Sequence, residues 1–205
     1  MGYYESKMVP HIINFVCGMK MSDPHRERVC AGLKGEVVEI GFGSGLNVPF
    51  YPQAVTSIAA VEPADTGWKI ARKRVANSAV PVKRAGLDGQ SLPFADDSFD
   101  AALSTWTLCT IPDAEAALRE VRRVLRPGGT LHFIEHGLSP EPKIARTQQR
   151  FNGIQQRLFG GCNLNRPIAD LIASAGLTVT ELENFYEKGA PKFLAYDYLG
   201  VAVAN

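Results

Sequence analysis

The chain has 205 residues and a formal net charge of +1, from 22 Lys and Arg against 21 Asp and Glu. At ~150 residues per domain this is one domain with room for an elaboration, and 45% hydrophobic against 21% charged residues excludes a disordered chain. A balance so close to zero supplies no global field to recruit nucleic acid or an anionic membrane, and neither is expected as a partner.

Residues 1–34 read as an N-terminal helical cap. Their longest uncharged apolar stretch, residues 8–19, contains Pro10, His11 and Asn14 and is too short and too polar to span a bilayer. No clean small-residue cleavage pattern follows, so a soluble, cytoplasmic chain without a stable membrane anchor is expected. Beyond this segment short β-branched runs alternate with helical patterns. Residues 37–40 read as a strand, Gly41 to Gly45 as a turn, and Leu46 onward as a helix. A strand over 57–61 and a helix over 64–77 come next, then strands over 80–84, 99–104 and 130–135. Between the last two lies a helix over 113–125, with Asp113 as N-cap and Pro127-Gly128-Gly129 as its stop. This alternation implies right-handed βαβ crossovers and a parallel, doubly wound α/β sheet over residues 35–136. Residues 137–164 break the rhythm and read as a lid-like insertion, in which Phe151, Ile154, Leu158 and Phe159 line an apolar acceptor or simply pack inward. Residues 165–205 complete the single domain with a helix over 165–175 and an antiparallel strand pair, over 177–183 and 193–203, at the sheet edge.

The most informative stretch is Glu39-Ile40-Gly41-Phe42-Gly43-Ser44-Gly45-Leu46-Asn47, between a predicted strand and a predicted helix. Glycines let the backbone turn tightly and approach a ligand, and a following helix offers free N–H groups to an anion. The dinucleotide fingerprint wants Gly or Ala where Leu46 stands, and Glu39 would repel a pyrophosphate. A phosphate-binding P-loop needs Lys and Ser or Thr where Leu46 and Asn47 stand, and Ser44 has the wrong spacing for a hydrolase elbow. A ligand with an ammonium and a carboxylate fits better: Glu39 attracts the amine and the loop N–H groups take the carboxylate. Glu62, 21 positions after Gly41 at the end of the second strand, can accept from both hydroxyls of a ribose. An adenosine joined to an amino acid is S-adenosylmethionine.

Four segments resemble successive motifs of class I S-adenosylmethionine-dependent methyltransferases of the type-11 domain group: residues 37–47, Val61-Glu62-Pro63, residues 92–100 and residues 120–129. The resemblance covers about residues 35–136. Asn47 with Phe50-Tyr51-Pro52, Leu108-Cys109-Thr110, Glu135-His136 and residues 161–166 look closer to the branch that includes alkyl-thiol methyltransferases. It implies a Rossmann-like, mostly parallel seven-stranded sheet with an antiparallel edge strand, and S-adenosylhomocysteine as product. By position it implies that Glu39, Gly41, Gly43 and Gly45 hold the methionine part, Glu62 the ribose, and Asp88 and Gly89 the adenine, with Asn47 and Pro63 also binding the cofactor. Thr105 and Trp106 would lie near the sulfonium. Phe42 departs from the small residue common at its position and is expected in the core or under the cofactor. The implied partner is a small, apolar methyl acceptor: a thiol first, then a phenol, quinone precursor or lipid head group. The alternative is a binding module that keeps the cofactor fold without catalysis.

A base is needed only for an acceptor protonated at neutral pH. His136, just past the fifth strand, and Cys109, after the fourth, are the candidate catalytic residues. His132 is four strand residues away, roughly 13 Å at ~3.3 Å per residue, and reads as a core histidine. His25 reads as surface, and His11 belongs with Tyr3, Tyr4, Ile12 and Phe15 to a segment that could cap the pocket. Cys17, Cys30, Cys109 and Cys162 contain no C-x-x-C pair, so free thiols are expected and no metal site. The basic runs 69–74 and 119–126 read as solvated helix faces.

Overall fold

The computed structural model describes His11, Asn14 and residues 17–158 and 160–205. Tyr3, Tyr4, Ile12, Phe15 and Phe159 lie outside the described residues. Helix α1 (Asp23–Cys30), with Pro24 in its first turn, precedes β1 (Gly35–Ile40), β2 (Val55–Val61), α2 (Asp65–Ala76), β3 (Val82–Gly86) and β4 (Phe99–Thr105). Then come α3 (Ala114–Val124), β5 (Leu125–His136), α4 (Pro142–Leu158), α5 (Ile168–Ser174), β6 (Leu177–Tyr186) and β7 (Tyr196–Ala204).

The seven strands form one sheet in the order β3-β2-β1-β4-β5-β7-β6. The first five run parallel, and β7 is antiparallel to both β5 and β6. The antiparallel pair expected at the sheet edge is found there, with β7 against β5 and β6 outermost. Both faces are covered, as the alternation within β1 requires. Val38 and Ile40 face α3 and α5 through Leu118, Val121, Ile168 and Ile172, and Val37 faces the other layer with Val29, Cys30, Ile58 and Ala71.

Asp113 caps α3 as expected, its side chain accepting from the Ala116 N–H at 2.9 Å. Pro127-Gly128-Gly129 falls inside the bounds of β5, where the register to β4 jumps from Phe99↔Leu125 to Ala101↔Thr130, so the turn is an irregularity in the strand. The helix expected from Leu46 is not an α-helix: only a 3-10 turn, Val48–Phe50, forms. Pro49 sits in that turn and Pro52 follows at once; a proline donates no N–H and pushes the residue before it out of helical geometry. Phe151, Ile154 and Leu158 are 40, 54 and 53% exposed, so α4 does not pack that face inward. No helix among the described residues is long and apolar enough to cross a membrane.

Candidate active site

Strand order reverses between β1 and β4, and in open α/β sheets ligands bind at such a switch point, outside the carboxyl ends of the strands. The segments after β1, β2, β3 and β4 converge there on a cleft of about 510 Å³. Of the residues the sequence assigns to a cofactor, Gly41, Gly43, Asn47, Glu62, Pro63, Asp88, Gly89, Thr105 and Trp106 line it; Glu39 and Gly45 do not.

All three loop glycines adopt positive φ, +67° at Gly41, +57° at Gly43 and +73° at Gly45, a region that penalises any Cβ. They serve different ends. A Cβ on Gly41 would stand 2.2 Å from the Thr107 side chain, and one on Gly45 about 3.2 Å from the Phe42 ring, so both are packing positions. A Cβ on Gly43 would meet only the Gly41 carbonyl, at 3.8 Å, and this is the glycine whose open face adjoins the cleft. Phe42 is buried in the core against Trp68, ring centroids 5.5 Å apart, and also lines the cleft. Arg74, assigned from sequence to a solvated face, reaches back to donate to the Ser44 carbonyl at 2.9 Å and braces the loop.

Two acidic residues and one cation set the electrostatics. Glu62 is 6% exposed; it accepts from the Gly43 N–H at 2.6 Å and the Ala64 N–H at 2.7 Å. Burial raises its carboxyl above the usual range, against the pull of those two bonds. Each oxygen keeps a lone pair for a ligand hydroxyl. Glu39 is buried behind Asn47, accepting from Asn47 Nδ2 at 2.9 Å and from the Tyr51 hydroxyl. Burial pushes its carboxyl up to about 7, although both hydrogen bonds and the Arg26 charge oppose this. Arg26, from α1, was not singled out in the sequence. It is buried and lines the cleft, donating to Asn47 Oδ1 at 2.5 Å and to the Cys17 carbonyl at 3.1 Å, with its guanidinium 4.9 Å above the Trp106 ring. A cation outside the strand-loop motifs leaves no local signature.

At the other end Asp88 is exposed, its Oδ1 accepting from the Gln90 backbone N–H at 2.8 Å. Leu87, Ile111 and Pro112 supply apolar walls that were also missed. Leu87 is 61% exposed, and an exposed leucine flanking a polar turn suits a flat aromatic ligand. A buried guanidinium, a buried carboxylate, an open glycine and an apolar slot fit a zwitterionic nucleoside. The missing α-helix after the loop removes the terminus that would favour a diphosphate.

Beyond Trp106 the cleft meets a second group. Trp106 has φ +48°, an outlier for a bulky residue; its Nε1 donates to Asp197 Oδ1 at 3.1 Å. The turn is held from below by Glu135, wholly buried, which accepts from Ser104 Oγ at 2.6 Å and from the Thr107 N–H at 3.1 Å. Burial raises Glu135 to about 7. His136 and Cys109 do not line the cleft but are drawn together with Cys162, their ligand-capable atoms within 4.8 Å of one another. The Cys109 and Cys162 sulfurs lie 3.6 Å apart; hydrogen bonding with Cys109 lowers the Cys162 pKa against the effect of burial, and His136 lowers it further. Burial works to lower the His136 pKa, but Cys162 and Asp197 hold it up to about 9. His132 is the core histidine expected, its ring nitrogens 3.1 Å from Thr130 Oγ1 and from the Val29 carbonyl. His25 is not simply surface: it stacks on Phe185 and pairs with Glu187 at 2.7 Å.

The protein-family model described as a methyltransferase domain matches residues 38–133. Thiol S-methyltransferase TMT1B of Mus musculus is 34% identical over 158 residues, covering 74% of this chain and 64% of that protein, so the chain spans less than two thirds of its length. Phosphatidylethanolamine N-methyltransferase of Cereibacter sphaeroides is 26% identical, over 86% of this chain and 88% of its own. Among solved structures, a chain in the complex between the Haloferax volcanii Trm112 methyltransferase activator and a methyltransferase overlays with a TM-score of 0.71. It is 18% identical and the match covers 97% of this chain and 98% of that one, a likeness of fold.

Proposed function

The chain belongs to the methyltransferase-domain family, whose motifs and fold imply S-adenosylmethionine as cofactor, and on that premise we propose that it is an enzyme that methylates a small, apolar acceptor, an alkyl thiol first. Phenols, quinone precursors and lipid head groups rank after thiols. The observation that carries the reading is one cleft holding a buried guanidinium, Arg26, and a buried carboxylate, Glu62, around the open face of Gly43.

Bound S-adenosylmethionine would supply a methyl group already activated on a sulfonium. Arg26 would take its carboxylate, and Glu62 its ribose hydroxyls through the lone pairs left by Gly43 and Ala64. Asp88 and Gly89 would meet the adenine edge. Glu39 would act on the ammonium as a buried anion behind Asn47, not by contact. Thr105 and Trp106 would confine the acceptor to one line of approach, and alignment of this kind supplies ~7–11 kcal/mol in favourable cases. A thiol is preferred because the group beyond Trp106 is built of sulfur and imidazole, and because of the name carried by the Mus musculus relative. The phosphatidylethanolamine enzyme keeps head-group amines in the comparison.

The test is the full chain with methyl-labelled cofactor against an alkyl thiol, a small phenol and phosphatidylethanolamine vesicles, with S-adenosylhomocysteine as the readout. Turnover with the thiol, well above the other two, is expected. Calorimetric cofactor binding without turnover on any acceptor would replace the enzyme by a binding module.

A further inference from the structure

We propose that Cys109, Cys162 and His136 form a zinc site beside the cleft, its fourth coordination position left for the sulfur of an acceptor thiol. The last clause rests on the thiol reading above; the site itself does not.

The two sulfurs are 3.6 Å apart. A disulfide needs about 2.05 Å, whereas two thiolates at roughly 2.3 Å from one tetrahedral ion stand about 3.8 Å apart. A nitrogen of His136 completes a set of three donors within 4.8 Å. Two thiolates and an imidazole are soft and borderline donors that select zinc over magnesium or calcium. Neighbours fix the two segments in place: the backbone N–H and Nδ2 of Asn163 donate to the Cys109 carbonyl at 2.8 and 2.9 Å, and the Cys109 N–H points to Glu135 at 3.4 Å.

A second observation is independent of the sulfurs. His136 is paired across the sheet with Asp197, whose Oδ1 is 3.5 Å from His136 Nε2. Asp197 is wholly buried, and its Oδ2 has no hydrogen-bond partner among the described residues. A carboxylate behind a histidine is the arrangement that orients metal-bound imidazoles.

Three protein donors leave one position open, as in catalytic zinc sites. Cys109 and Cys162 are buried, while the His136 side chain is 29% exposed, so access is from its side. An acceptor thiol arriving there would release its S–H proton to solvent as the sulfur–zinc bond forms, and a coordinating thiol is deprotonated outright.

The experiment is metal analysis of the full chain, purified under reducing conditions without chelator, loaded with zinc and dialysed. About one tightly held zinc per chain is expected, and none in Cys162→Ser or His136→Ala. Asp197→Asn should hold zinc roughly 10- to 100-fold more weakly. Circular dichroism and calorimetric cofactor binding check that each variant folds. A zinc-free wild type, or Cys162→Ser retaining full stoichiometry, overturns the site. Cobalt in place of zinc should show a thiolate charge-transfer band that changes when an alkyl thiol is added. A band indifferent to the thiol would overturn the open position, while turnover still decides the thiol reading on its own.

Discussion

A carboxylate cut off from water destabilises the fold whenever it is charged, unless its partners replace the lost hydration. Glu39 is such a group, with two donors and a nearby guanidinium that do not fully compensate. Its carboxyl lies at about 7 in the folded chain against an ordinary 4.5. With the folded value raised, the folded state holds the extra proton, so stability is fullest below pH 4.5 and is lost as pH rises through about 7. The loss is roughly 3 kcal/mol at most. In cofactor-free protein Glu39→Gln should keep the Asn47 and Tyr51 contacts and remove this slope. Urea unfolding at about pH 5 and about pH 8 checks it: wild type should lose roughly 2.5 kcal/mol more than the variant, and parallel losses would refute it. The importance of Glu39 was legible from its place two residues before Gly41. Its seclusion was not, because Asn47 and Tyr51 screen it from eight and twelve residues away. Arg26 was invisible for a similar reason: it enters the cleft from a helix outside every motif.

Three glycines that read alike along the chain do separate work in the loop after β1. Gly41 and Gly45 exist for packing, and Gly43 leaves a surface free. Gly43→Ala should therefore cost only the backbone penalty of its positive φ, about 1–2 kcal/mol, yet weaken cofactor binding more than tenfold, about 1.4 kcal/mol or above. Gly41→Ala must also displace Thr107 and should destabilise the fold more. Thermal unfolding beside calorimetry separates the two effects, and normal affinity in Gly43→Ala would remove the loop from the site. The strands and α3 were readable because their apolar periods and caps are local. The helix expected at Leu46 does not form because Pro49 and Pro52 interrupt the segment that would build it. The cysteines carry no spacing signal, since two thiols 53 positions apart give no sign that Asn163 ties their segments together.

For the whole molecule, most of the switch-point architecture followed from the alternation of strands and helices, and so did the antiparallel pair at the rim; which of its two strands lies outermost did not, because a hairpin reading pairs them without saying which one meets β5. Because the cleft is formed by segments following four different strands, a ligand there ties their positions together. A ligand that binds only the folded state at 100 times its dissociation constant adds about 2.7 kcal/mol. For a chain of this size S-adenosylhomocysteine at that excess should raise the melting temperature by roughly 5–11 °C. No rise, with a nicotinamide or flavin compound raising it instead, would overturn the cofactor assignment.

The insertion of β7 between β5 and β6 bears on how the protein reaches this state. Thr130 pairs with Val203 and His136 with Asp197, so the outer side of β5 is closed only by chain lying some sixty to seventy positions further on. Until residues 196–204 dock, β5 presents a row of free amides and carbonyls, the kind of edge that recruits strands from other molecules. Long-range closures of this sort are slow. Until β7 arrives, the sheet therefore has a second open margin at β5 in addition to the outer side of β3, and self-association during synthesis or refolding has that much more edge to use.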